Sequence, residues 1–220
     1  LDERLAGEAR RVLIREPQLT LIHLLGVDNA GHGFGGASAE YAEAAVAADR
    51  LIAHMMAFID LNRAAVLVTA DHGHIDNGGH GGDEGVVRRV PLVAGGKGIK
   101  PGVYADGMQV DIAPTVLELA GLALSMGTDG ESLVTSLAAD APSGREAYAE
   151  SLLPRYSFNW SELRSLRRGS LKLIWAPRPE LFDVDADPDE ANNLWGGPRE
   201  KEATTMASEL ARIQAGEGVV

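Results

Sequence analysis

Two kinds of hydrophobic pattern alternate along the first half of the chain. Residues 19–27 (LTLIHLLGV) and 66–70 (VLVTA) are short, nearly unbroken apolar runs, the pattern of strands buried on both faces of a parallel sheet. Between them, residues 38–61 bring Tyr41, Ala44, Ala45, Ala48, Leu51, Ile52, Met55, Met56 and Ile59 round at helical spacing, with Ser38 placed to cap the first turn. A helix is expected over 1–15, a strand over 90–94, and a second capped helix over 112–120, opened by Asp111 and closed by Gly121. Strand, long crossover helix and strand predict a largely parallel sheet, hence an α/β fold.

Beyond residue 137 the pattern shortens. Residues 140–144 (DAPSG) read as a linker, and strands are expected at 146–151, 162–168, 171–175 and 180–184, divided by Gly169-Ser170 and Pro177-Arg178-Pro179. A helix over 198–214 would close this small antiparallel sheet. The chain therefore divides into an α/β core, 1–138, and a carboxyl-terminal subdomain, 139–220. Leu181, Phe182 and Trp175 are expected to pack the small sheet. Arg167, Arg168 and Lys172 read as solvated charges, with contact to an anionic substrate as the alternative.

The chemistry gathers at two apolar run ends. One stops at Asp28-Asn29-Ala30-Gly31-His32, the other at Asp71-His72-Gly73, and His80-Gly81-Gly82 follows eight residues after His72. Glycines let the backbone turn sharply at the carboxyl ends of strands, where open α/β sheets place their ligands. Carboxylates and imidazoles there gain nothing as packing and are good donors for a divalent cation. Five candidate ligands, Asp28, His32, Asp71, His72 and His80, exceed the roughly four a single zinc takes from protein. Two metals fit the count, and a pair roughly 3.5–4 Å apart suits in-line displacement at a phosphate-like ester. Imidazole-rich donors favour zinc, or manganese, over calcium, which prefers oxygen.

The remaining histidines read differently. His23, inside an apolar run, is expected as a hydrogen-bonded core residue and His54 at the core edge or surface. His74 is expected as an outer partner of the ligands or as a solvated residue. Asp76, Asn77 and Asp83 are expected as turn formers.

Composition narrows the function classes. The 220 residues carry 32 acidic against 20 basic side chains, a net charge of −12, which argues against nucleic acid as a partner. No apolar run approaches the ~20 residues of a membrane span, and the first 18 residues carry charge throughout, without the apolar core of an export signal. The absence of cysteine excludes disulfides, thiolate ligands and a cysteine nucleophile in this chain, and leaves the compartment open.

Asp28-x-x-x-His32, Thr69-Ala70-Asp71-His72-Gly73 and His80-Gly81-Gly82 resemble the metal-binding elements of the alkaline phosphatase superfamily, which includes sulfatases, phosphodiesterases, phosphonoacetate-type hydrolases, lipid phosphoethanolamine transferases and cofactor-independent phosphoglycerate mutases. The resemblance spans residues 18–195. It implies an alkaline phosphatase-like sandwich around a largely parallel sheet, one metal held by Asp28, His32 and His80, and a second held by Asp71, His72 and a further Asp from elsewhere. Asp111-Ile112-Ala113-Pro114-Thr115, Asp129-Gly130-Glu131-Ser132-Leu133 and the runs LRSLRRGSLKLI and PELFDVDADPDEANNL are similar to sulfatase segments.

The family's nucleophile and its first metal-binding Asp precede the D-x-x-x-H element, and no Cys or Ser followed by x-Pro-x-Arg occurs here. The expectation is the carboxyl-terminal part of a longer enzyme, or a degenerate relative, with the nucleophile upstream and the missing amino-terminal part as a partner. Three functions are consistent with these residues. They are a two-metal hydrolase or transferase of phosphate mono- or diesters, a calcium-dependent sulfuric ester hydrolase, and a non-catalytic metal-stabilised binding domain. The substrate would be a small-molecule, lipid or sugar ester.

Overall fold

The computed structural model describes residues 1–82, 84–103, 107–123, 127–138 and 146–216. The linker expected at 140–144 and the turn former Asp83 lie outside the described residues. The chain forms two compact units: Leu1–Val103 with Leu117–Leu122 and Leu137–Ala139, and Tyr104–Val116 with Ala123–Ser136 and Asp140–Val220. Where the sequence suggested a division at residue 138, two earlier segments thus group with the carboxyl-terminal unit.

The first unit contains helices α1 (Asp2–Leu13), α2 (Gly26–Phe34) and α3 (Ala39–Met56), strand β1 (Ala65–Thr69), the single turn α4 (Gly85–Arg88) and strand β2 (Leu92–Gly96). Ser38 caps α3 as expected, its Oγ accepting the Tyr41 N–H at 3.1 Å, and α3 packs against both α1 and α2. Helix α2 has the sequence GVDNAGHGF, too rich in glycine to be stable by propensity. Its amino terminus is organised from outside: the Asp2 carboxylate accepts the N–H groups of Leu25 at 3.2 Å and Gly26 at 2.7 Å, satisfying donors that a helix start leaves open.

Strands β1 and β2 pair antiparallel, Ala65 opposite Gly96 and Thr69 opposite Leu92. The expected strand over 19–27 is not formed. Residues 19–25 join no ladder among the described residues, and Gly26 and Val27 belong to α2. The run still alternates, with Leu19, Leu21 and His23 exposed and Thr20, Ile22 and Leu24 partly covered, as in a strand with one covered face. A strand exists only with a hydrogen-bonded neighbour, and none stands beside this run in the described chain. His23 is accordingly exposed rather than a core histidine; His54 is exposed too.

Further along lie a 3-10 turn (Gln109–Asp111), α5 (Ile112–Leu119) and α6 (Val134–Ala138), then β3 (Ala147–Ser151), α7 (Leu153–Phe158), β4 (Leu163–Arg168), β5 (Leu171–Trp175), β6 (Glu180–Asp183) and α8 (Glu200–Gln214). Asp111 does not cap α5. It is fully buried, and its carboxylate accepts the N–H groups of Met108 at 2.8 Å and Glu131 at 3.0 Å, tying the 3-10 turn to the segment around residue 131.

Strands β3 to β6 form one antiparallel sheet in sequence order. Tyr148, Leu166, Leu173 and Leu181 sit side by side across it, and Ala203, Met206 and Leu210, at helical spacing on α8, join Leu166, Leu173 and Leu181 in one buried cluster. Leu181 and Phe182 are buried as expected, whereas Trp175 is 40% exposed and meets Trp195 edge-on. Arg167, Arg168 and Lys172 are paired with Asp185, Glu146 and Glu190, so their charges are engaged within the sheet and its turns.

Candidate metal centre

Each of the five residues singled out by sequence lies in the first unit, at three places in the chain. Asp28 and His32 are four residues apart on α2 and so share one face. Asp28 comes from the first turn of a helix, not from a loop after a strand. Asp71 and His72 follow β1. His80 follows a tight turn in which the Gly78 N–H donates to Ile75 O at 2.9 Å, with Asp76 and Asn77 between them as the expected turn formers.

These segments converge on the Asp28 carboxylate. Its Oδ1 lies 3.6 Å from His32 Nε2, 3.9 Å from His72 Nε2 and 3.4 Å from His74 Nε2. His32 and His80 face each other with their Nε2 atoms 3.1 Å apart, and the rings of His72 and His80 stack at 3.7 Å. His72 Nδ1 lies 3.2 Å from Gly73 O. A carbonyl only accepts, so this nitrogen donates and leaves the Nε2 lone pair facing the cluster. The Asp71 carboxylate accepts the His72 N–H through Oδ1 at 3.1 Å and places Oδ2 3.6 Å from His72 Nε2.

His74 is the residue that sequence reasoning underrated. Its side chain is 2% exposed, and its ring stands edge-on to His32, His72, His80 and Tyr41. Burial pushes its pKa below the ordinary 6.5; Asp28 acts the other way, and the neighbouring His32, His80 and His72 add to the lowering. The available signal was the spacing: residues 72–75 lie outside any helix or turn, and alternate positions of a stretched backbone share a side, which sends His74 after His72 into the cluster.

The donor set fits a cation on structural grounds. Asp28, His32, His74 and His80 each offer one ligand atom, all within 4.8 Å of one another. Asp28 Oδ1 and His74 Nε2 are buried with no hydrogen-bond partner, a costly state for polar atoms unless something else engages them. Four donors about 2.0–2.1 Å from a tetrahedral zinc stand about 3.3–3.4 Å apart, and the spacings here of 3.1, 3.4 and 3.6 Å bracket that edge.

Comparison with known proteins places this geometry in context. Residues 1–87 match the family model for type I phosphodiesterase / nucleotide pyrophosphatase. The chain is 38% identical over 119 residues to a choline-sulfatase of Rhizobium meliloti (strain 1021), covering 50% of this chain and 22% of that protein. It is 25% identical over 250 residues to GPI ethanolamine phosphate transferase 1 of Neurospora crassa, covering 96% of this chain and 25% of that protein. Among solved structures, a phosphonate monoester hydrolase from Silicibacter pomeroyi aligns with a TM-score of 0.63 at 23% identity, over 82% of this chain and 40% of that one. A protein solved with its substrate D-glucosamine-2-N,6-O-disulfate aligns with a TM-score of 0.66 at 23% identity, over 80% of this chain and 40% of that one. The fold is alkaline phosphatase-like, and the chain spans less than half the length of each of these four proteins.

Proposed function

We propose that this chain is part of an alkaline phosphatase-superfamily enzyme, and that its Asp and His cluster is the two-metal part of an enzyme that hydrolyses or transfers phosphate mono- or diesters. The observation that carries this reading is Asp28 Oδ1, buried without a hydrogen bond and ringed by three imidazole nitrogens at 3.4–3.9 Å. Asp28, His32 and His80 would hold one metal; Asp71 and His72, with a carboxylate from elsewhere, would hold the second. Bound metals supply Lewis acidity, polarising the ester oxygens and lowering the pKa of a coordinated hydroxyl or water. The chain's own part is to hold donors in place. The Gly73 carbonyl fixes the His72 tautomer, and the His72 N–H orients the Asp71 carboxylate. Three imidazoles among the five donors support zinc or manganese rather than calcium.

The nucleophile used by the family is proposed to come from the part of the catalytic domain that this chain does not span. Small-molecule, lipid and sugar esters all agree with the relatives' names. A sulfuric ester hydrolase is the second reading, favoured by the 38% identity to choline-sulfatase. The catalytic domain containing this chain should be assayed against a bis-aryl phosphodiester, an aryl phosphate and an aryl sulfate, with zinc, manganese or calcium. Zinc- or manganese-dependent phosphoester turnover, lost on Asp28→Ala, supports the proposal. Aryl sulfate turnover that requires calcium establishes the second reading instead, and no turnover of any of the three contradicts both.

A further inference from the structure

Three donors, Asp28, His32 and His80, are what the superfamily resemblance assigns to the first metal, and the described chain supplies a fourth. His74 is buried among the other imidazoles, yet its Nε2 makes no hydrogen bond. That nitrogen lies 3.4 Å from the Asp28 Oδ1, itself an orphaned buried atom. The two atoms lie within ion-pair range yet make no hydrogen bond to each other; both lie within 4.8 Å of the ligand atoms of His32 and His80. The space for the ring is built into the fold, since a Cβ on Gly31 of α2 would lie 2.5 Å from it.

We propose that His74 Nε2 is a direct ligand, so that the first metal is held by three imidazoles and one carboxylate: His32, His74, His80 and Asp28. This inference rests on the metal reading given above and goes beyond it. A fourth protein donor holds the ion more firmly than three, and zinc that expands to five-coordinate still takes an ester or water oxygen; these four donors bring α2, the segment after β1 and the His80 turn to one point. Such a site fills before the one at Asp71 and His72, which has fewer donors in this chain.

The test is zinc X-ray absorption of the metal-stripped protein reloaded with one equivalent of zinc, together with chelator-competition affinities for the protein and for His74→Ala and His74→Gln. The expected spectrum contains three imidazoles per zinc in the unaltered protein. Both variants should fall to two and lose more than about 100-fold in affinity, beyond the about 10–100-fold that residues acting only through a ligand cost. Two imidazoles in the unaltered protein overturn the proposal whether or not the variants fold. So does near-native affinity in His74→Gln, whose amide can hydrogen-bond Asp28 without replacing an imidazole ligand. In both cases the two-metal reading survives. No zinc uptake by the unaltered protein overturns both.

Discussion

Gly31 and His74 set the geometry of the cluster at the scale of single residues. An alanine in place of Gly31 would gain about 1 kcal/mol of helix propensity, but its Cβ would lie 2.5 Å from the His74 ring. Overpacking a filled site costs about 1–3 kcal/mol, so Gly31→Ala should destabilise the metal-free protein in urea titrations and also weaken zinc binding. His74 gives a pH dependence. Its folded pKa lies below the ordinary 6.5 because of burial, so on acidification the unfolded chain takes up this proton first. Stability therefore rises with pH through the region below about 6.5 and is fully present above it. Denaturant midpoints of the metal-free protein should fall from pH 7 to pH 5, and by less in a folded His74→Gln variant.

Secondary-structure elements differ in how far the sequence alone revealed them. The strands β3 to β6 and helix α8 fall within a few residues of expectation, because each depends on local alternation or helical spacing that one covered face enforces. Their core predicts its own weak point: Leu173 is fully buried between Leu166 and Leu181, and Leu173→Ala should cost about 2–5 kcal/mol by thermal or chemical unfolding. Residues 19–27 show the opposite. Their composition is that of a buried strand, but the described chain gives the run no partner and turns its last two residues into α2. Nothing local in GVDNAGHGF marks a helix either; its start depends on Asp2, over twenty residues away. Asp2→Ala should cost about 0.5–2 kcal/mol, the usual loss for a helix cap, and should lower metal affinity because Asp28 and His32 ride on that helix. That Asp28, His32, His72 and His80 stand near one another was legible because Asp and His gathered in glycine-rich segments have no use as packing. His74 was not, because burial is decided by segments far apart in sequence.

For the whole molecule, a net charge of −12 works against the anionic ester proposed as substrate, and binding it would need local positive charge. The basic side chains Arg167, Arg168 and Lys172 of the carboxyl-terminal sheet are already paired with carboxylates. The proposed metal pair would supply that charge where the donors converge. No helix among the described residues is long and apolar enough to cross a membrane. The central claim is that this cluster holds two divalent metals, and anomalous scattering at the zinc edge from crystals grown with zinc tests it most directly. The account predicts two peaks about 3.5–4 Å apart, one among Asp28, His32 and His80 and one at Asp71 and His72; a map with no peak at these residues would contradict it.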